Sequence, residues 1–179
     1  MSDQNILTMF AREYDILRAS HVKAQNEYNC AYERRDECKE AFRRHEYGLQ
    51  SMILQSKYKA YRRDEAIYLC GTFKPDIIVI ATSEDMKSVD PNTAESDAIE
   101  KYETAKRNCD VSEKELNTAR SISKDADEKF AKCESSFVLA MKRCGRKTLK
   151  IGNRIYIAAD KGIATFDLSE SDMDVPHDL

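Results

Sequence analysis

Apolar positions recur along this chain in alternating steps of three and four. The first run is Leu7, Phe10, Tyr14, Leu17, His21, Ala24, Tyr28, Ala31, Arg35, Cys38, Phe42, His45, Leu49 and Met52. The second is Tyr102, Ala105, Cys109, Ser112, Leu116, Ala119, Ser123, Ala126, Phe130, Cys133, Phe137, Ala140 and Cys144. Such steps hold a narrow stripe on one side of a helix, and a strict period of seven makes that stripe a left-handed coiled-coil seam. The pattern predicts a mainly α fold: a long antiparallel two-helix coiled-coil hairpin with helices over about 3–70 and 92–145. A helix of the first length would extend roughly 100 Å and needs a partner to cover its seam.

The first seam is uneven. Ile6, Met9 and Ile16 widen it near its start, whereas His21, Arg35 and His45 make its middle polar. After Met52 the stripe slips by one position, through Ile53, Ser56, Ala60, Arg63, Ile67 and Cys70, which reads as a stutter near Gly48 with a possible bend there. The second seam is built from small residues and ends at Gly145, a left-handed cap, with Lys142, Arg143, Arg146 and Lys147 opposing the helix dipole. One antiparallel alignment sets Met52 beside Cys109, His45 beside Leu116, Cys38 beside Ser123, Tyr28 beside Cys133 and Leu17 beside Cys144. No two cysteines face each other in it, which predicts no disulfide. It also leaves the start of the first helix overhanging.

Two stretches break the helical period. In the connection, 71–91, Gly71 and Pro75 end the helix and Ile77-Ile78-Val79-Ile80-Ala81 reads as one short strand buried on both faces. Asp90-Pro91-Asn92 supplies start signals for the second helix, as Ser2 or Asp3 does for the first. Residues 146–168 read as a three-stranded antiparallel β-meander, turning at Gly152-Asn153 and Asp160-Lys161-Gly162. Alternation places Leu149 and Ile151, Ile155 and Ile157, and Ala164, Phe166 and Leu168 on its buried face, covered by residues 3–18 of the overhanging helix. The acidic segment 169–179 has no periodicity and reads as disordered.

Composition agrees with long solvated helices: 34% charged residues, 41% hydrophobic, 5 Gly and 3 Pro. The net charge of −3 gives no field to steer nucleic acid. The arginine pairs Arg34-Arg35, Arg43-Arg44 and Arg62-Arg63 could contact phosphates along one helix. Each is followed by Asp36, Glu46 or Asp64 and Glu65, which favours ion pairs. Six cysteines, four of them on the seams, show no CxxC spacing, so they read as small apolar residues in a reducing compartment. The start of the chain lacks signal-peptide character and no run of about 18 apolar residues occurs, so the expected setting is the cytoplasm, or a particle assembled there, without membrane or secretion. His21 and His45 lie far apart on one helix and fit register-fixing seam positions better than a shared metal.

No nucleotide-binding, nucleophile-elbow or metalloprotease motif is present. A non-enzyme is expected, without cofactor, metal or small-molecule substrate. The favoured function is a structural or interaction subunit that forms a homo-oligomer or larger protein assembly. Its contact residues would be Ile77, Ile78, Val79 and Ile80, with Leu7, Phe10, Tyr14, Ile155, Ile157 and Phe166 at the head. The lone strand would pair across a subunit boundary, unless a bend at Gly48 brought both ends together. A component of a virus or phage particle fits equally. A hairpin with β segments also resembles prefoldin subunits in architecture; there β-hairpins lie between the helices and the free helix ends hold clients, whereas here the meander follows the second helix.

Overall fold

The computed structural model describes residues 3–56, 60–71, 76–81, 96–160 and 162–168. The elements run α1 (Asp3–Gln55), β1 (Ala60–Arg63), β2 (Ala66–Cys70), β3 (Ile77–Ala81), α2 (Ser96–Arg143), β4 (Thr148–Ile151), β5 (Arg154–Ala159) and β6 (Gly162–Asp167). Two long helices form a hairpin with two antiparallel three-stranded sheets, ordered β1-β2-β3 and β4-β5-β6. The expected cap at Ser2, the 82–91 loop, the Asp90-Pro91-Asn92 start signal and the 169–179 tail lie outside the described residues. Among those described, no helix is long and apolar enough to cross a membrane.

The seam positions of both helices are where the sequence puts them. Every one from Leu7 to Met52 and from Tyr102 to Cys144 is buried or half-buried. Their alignment differs. Cys133, expected beside Tyr28, packs in one cluster with Tyr14. Ser123, expected beside Cys38, donates a hydrogen bond to Gln25 Oε1 at 3.3 Å. The helices are thus displaced by about two heptads from the alignment above, because a repeat of seven looks the same after a slide of seven. The start of α1 therefore does not overhang: Phe10 stacks on Phe137 with ring centres 6.2 Å apart. The new alignment also brings Cys38 near Cys109, whose thiol is pushed up mainly by burial and also by that neighbour. All six cysteines are free.

The larger correction concerns residues 56–70. The first helix does not run to about 70; it ends at Gln55, where Ser56 closes the last turn through its N–H to Met52 O and its hydroxyl to Ile53 O. What reads as a stutter is the exit from the helix. Ala60–Arg63 and Ala66–Cys70 form a hairpin instead, pairing Arg63 with Ala66 around Asp64-Glu65. Asp64 takes φ +53°, a left-handed conformation that Asp tolerates better than most residues. The aromatic and aliphatic run Ile67-Tyr68-Leu69-Cys70 suits a strand. β3 then pairs with β2 inside the chain, Ile77 with Cys70 through Ala81 with Ala66. Among the described residues three strands, not one, lie between the helices, and β3 pairs on its β2 side within the chain without a bend at Gly48 or a neighbouring subunit.

By contacts the chain divides into two compact units. One comprises residues 1–28 and 119–179. Its core joins Leu7, Ala11 and Tyr14 of α1 with Cys133, Phe137 and Met141 of α2 and with Leu149, Tyr156 and Ile163 of the second sheet. The end of α2 is a Schellman cap: Arg146 N–H reaches Met141 O at 2.9 Å and Gly145 N–H reaches Lys142 O at 3.0 Å, with Gly145 at φ +65°. The other unit comprises residues 29–118, with Leu49, Ile53, Ile99 and Tyr102 of the helices against Tyr61 and Tyr68 of the first sheet.

The meander is present as expected, but its faces are exchanged on two strands. The Gly152-Asn153 turn pairs Ile151 with Arg154 and Leu149 with Tyr156. Directly paired residues share a face, so Leu149 and Ile151 side with Tyr156 and Ala158, not with Ile155 and Ile157. Tyr156 and Ile163 are the buried residues. Ile155, Ile157, Ala164 and Phe166 lie on the outer face, paired as Ile155 with Phe166 and Ile157 with Ala164.

Candidate interaction surfaces

Each sheet is held to both helices by specific polar contacts. In the second sheet, Tyr156 Oη donates to Asp15 Oδ2 at 2.5 Å, and burial with this bond pushes the phenol up to about 12. Arg154 Nη1 lies 3.1 Å from Asp15 Oδ1 and grips Asp167 through two bonds of 2.6 and 2.9 Å. Asp15 Oδ1 is buried and meets Arg154 as an ion pair without an aligned hydrogen bond. The Arg154 guanidinium holds the Asp167 carboxyl below its ordinary range. Arg18 donates to Thr165 Oγ1, and Tyr14 Oη donates to Ile163 O at 3.1 Å. From α2, Glu134 Oε1 accepts the Ile163 N–H at 3.0 Å. Apart from Tyr14, a seam residue, none of these partners stands out in the sequence, because each lies on a polar helix face or on the strand face that alternation assigned to solvent.

In the first sheet, Tyr61 Oη donates to Met52 O of α1 at 3.2 Å, and Tyr68 Oη donates to the Glu103 carboxylate of α2. Burial and then that bond raise the Tyr68 phenol. Arg63 lies on this inner face, 3.7 Å from both Glu100 and Glu103.

The expected contact residues divide accordingly. Leu7 and Tyr14 are buried in the core and Phe10 is half-buried against Phe137. Ile155 and Ile157 are half-buried and Phe166 is 56% exposed on the outer face of the second sheet. On β3, Ile78 and Val79 are 47% and 45% exposed, while Ile77 and Ile80 are half-buried. Val79 shares a face with Tyr61 and Tyr68; Ile78 and Ile80 share the other with Ile67 and Leu69.

The six arginines do not form one helical strip, since Arg62 and Arg63 are on β1. Arg34 Nη1 bonds Glu115 Oε2 at 3.0 Å, and Arg35 meets Asp36 at 3.0 Å while lying over the Tyr32 ring at 4.7 Å. Arg43 and Arg44 are exposed. His21 Nε2 lies 2.7 Å from Asp127 Oδ1 and its ring stacks on Phe130 at 5.1 Å. Among the described residues no group of three or more His, Cys, Asp or Glu is placed to hold a metal ion. A groove of about 460 Å³ runs between Ile6 and Phe10 of α1 and Leu139, Ala140 and Arg143 of α2. No protein family, curated protein or solved structure matches this chain.

Proposed function

We propose that this chain is a non-enzymatic structural protein that assembles through its sheets, the helical hairpin serving as the scaffold that carries them. One observation supports this above the rest. Each sheet packs one face on both helices and still exposes apolar residues: Ile78 and Val79 on opposite faces of the edge strand β3, and Phe166 beside the half-buried Ile155 and Ile157 on the outer face of the second sheet. Apolar exposure along a strand edge and on one sheet face favours protein contact, unlike single apolar residues scattered along helices. The arginine pairs give little support to nucleic-acid binding, because Arg34, Arg35 and Arg63 already face carboxylates.

The test is the mass of the full chain by size exclusion with light scattering, from about 1 to 100 µM, a range that spans weak specific association. Association should give masses above the 20.6 kDa of one chain. A single-chain mass throughout that range would refute the reading.

A further inference from the structure

The two sheets have four outer edges among the described residues, and three carry a charge. β1 contains Arg62 and Arg63, β4 contains Lys150, and β6 ends in Asp167. Charges on an edge oppose pairing with another strand. β3 is different: Ile-Ile-Val-Ile-Ala has no charge, no proline and no glycine. It is the outermost strand of β1-β2-β3, and Ile78 and Val79 remain nearly half exposed on opposite faces.

We propose that β3 pairs antiparallel with β3 of a second copy about a two-fold axis at Val79, joining two three-stranded sheets into one of six. This rests on the assembly reading and names its contact. The occupant of an open strand edge must be an extended strand, because the edge offers a row of backbone donors and acceptors at strand spacing. A second copy of β3 suits it. An uncharged strand has no ion pair with which to select a different partner, and it meets its own copy without like-charge repulsion. The centred register opposes Val79 with Val79, Ile78 with Ile80, and Ile77 with Ala81. Ile78 and Ile80 of both copies then extend the aliphatic face formed by Ile67 and Leu69. Antiparallel pairing also continues the order already present in this sheet.

The experiment compares the full wild-type chain with Val79→Lys and Val79→Glu, alone and mixed in equal amounts, by light scattering after size exclusion. Val79 is exposed enough for either charge to reach water in the single chain, and helicity by circular dichroism checks folding. Wild type should give twice the 20.6 kDa of one chain. Each variant alone should associate at least tenfold more weakly, because two like charges meet at the axis. The mixture should recover association, because Lys then meets Glu. Ile78→Lys, on the other face, is the second variant should either Val79 change disturb folding, and it should weaken association as well. A wild-type assembly that Val79→Lys and Ile78→Lys leave intact would overturn the β3 contact and leave the assembly reading standing. Loss in both single variants without recovery on mixing would overturn the two-fold register, as for a strand edge that meets an unlike strand. Wild type at single-chain mass would overturn both.

Discussion

Gly162 opens β6 at φ +142°, a conformation that residues with a Cβ rarely adopt. A Cβ added there would lie 2.6 Å from Glu134 Oε1 and 2.7 Å from its Cδ. That carboxylate also accepts the Ile163 N–H at 3.0 Å. Gly162→Ala therefore has two costs. Backbone strain contributes about 1–3 kcal/mol. The clash itself is cheap, since the end of a glutamate side chain can swing away, but swinging away breaks its bond to Ile163, worth about 1.5–3 kcal/mol for a charged acceptor. The expected total is about 2.5–6 kcal/mol. Glu134→Ala alone should cost only the hydrogen-bond part. Both single changes lose the same bond, so the double variant should cost less than their sum by about that bond's value, about 1.5–3 kcal/mol. Urea midpoints for the four proteins, read by circular dichroism, measure this directly. Additivity within about 0.3 kcal/mol would refute the shared-bond argument, and a Gly162→Ala cost below about 0.5 kcal/mol would refute the strain argument as well.

Further outcomes follow from the same packing. Phe137 is fully buried and touches the rings of Phe10, Tyr14 and Tyr156, so Phe137→Ala should cost about 3–5 kcal/mol in a urea titration, against at most about 0.5 for Ile16→Ala at a 69% exposed site. The Tyr156 phenol is raised from 10 to about 12 in the folded chain, so its contribution is fully present below pH 10 and is lost as pH rises through 12. Tyr156→Phe should flatten the fall in melting temperature over that window; an unchanged slope would remove Tyr156 as its cause. Asp64→Gly should be neutral or stabilise by up to about 1 kcal/mol, while Asp64→Val should cost at least about 1, both read from melting curves.

Burial along the helices was legible because a seven-residue period encodes it directly. Even His21 and Arg35, polar residues at seam positions, are half-buried as the spacing requires. Two things were not legible, for different reasons. The helix end at Gln55 carries no glycine or proline, and the turn that follows places Asp64 in the left-handed conformation with no glycine to mark it. With Arg62-Arg63 before it and Glu65 after it, the stretch resembles a charged helical surface. The signal that could have found the hairpin is the strand propensity of Ala66–Cys70 facing Tyr61 across two polar residues. On the meander, alternation gave each strand two faces but not which face is buried. The turn length decided that, and Tyr156 rather than Ile155 or Ile157 points to the helices. A tyrosine is favoured there because its ring joins Tyr14 and Phe137 while its hydroxyl reaches Asp15. The polar contacts to Asp15, Glu103 and Glu134 depend on which turn of a helix meets which strand, and no periodic signal encodes that.

That dependence gives the sheets a second role. A seam with a period of seven resembles a ratchet, with equivalent notches one heptad apart. Small seam residues such as Ala105, Ala119 and Ala126 make neighbouring notches hard to tell apart. Each sheet acts as a key for one notch. Tyr156 and Arg18 tie the second sheet to α1 while Ile163 N–H ties it to Glu134 of α2. Tyr61 and Tyr68 tie the first sheet to Met52 of α1 and Glu103 of α2. A slide of one heptad would move α1 and α2 by roughly 10 Å relative to each other and break one side of every such tie. Removing the ties would be expected to leave the helices paired but without a unique alignment.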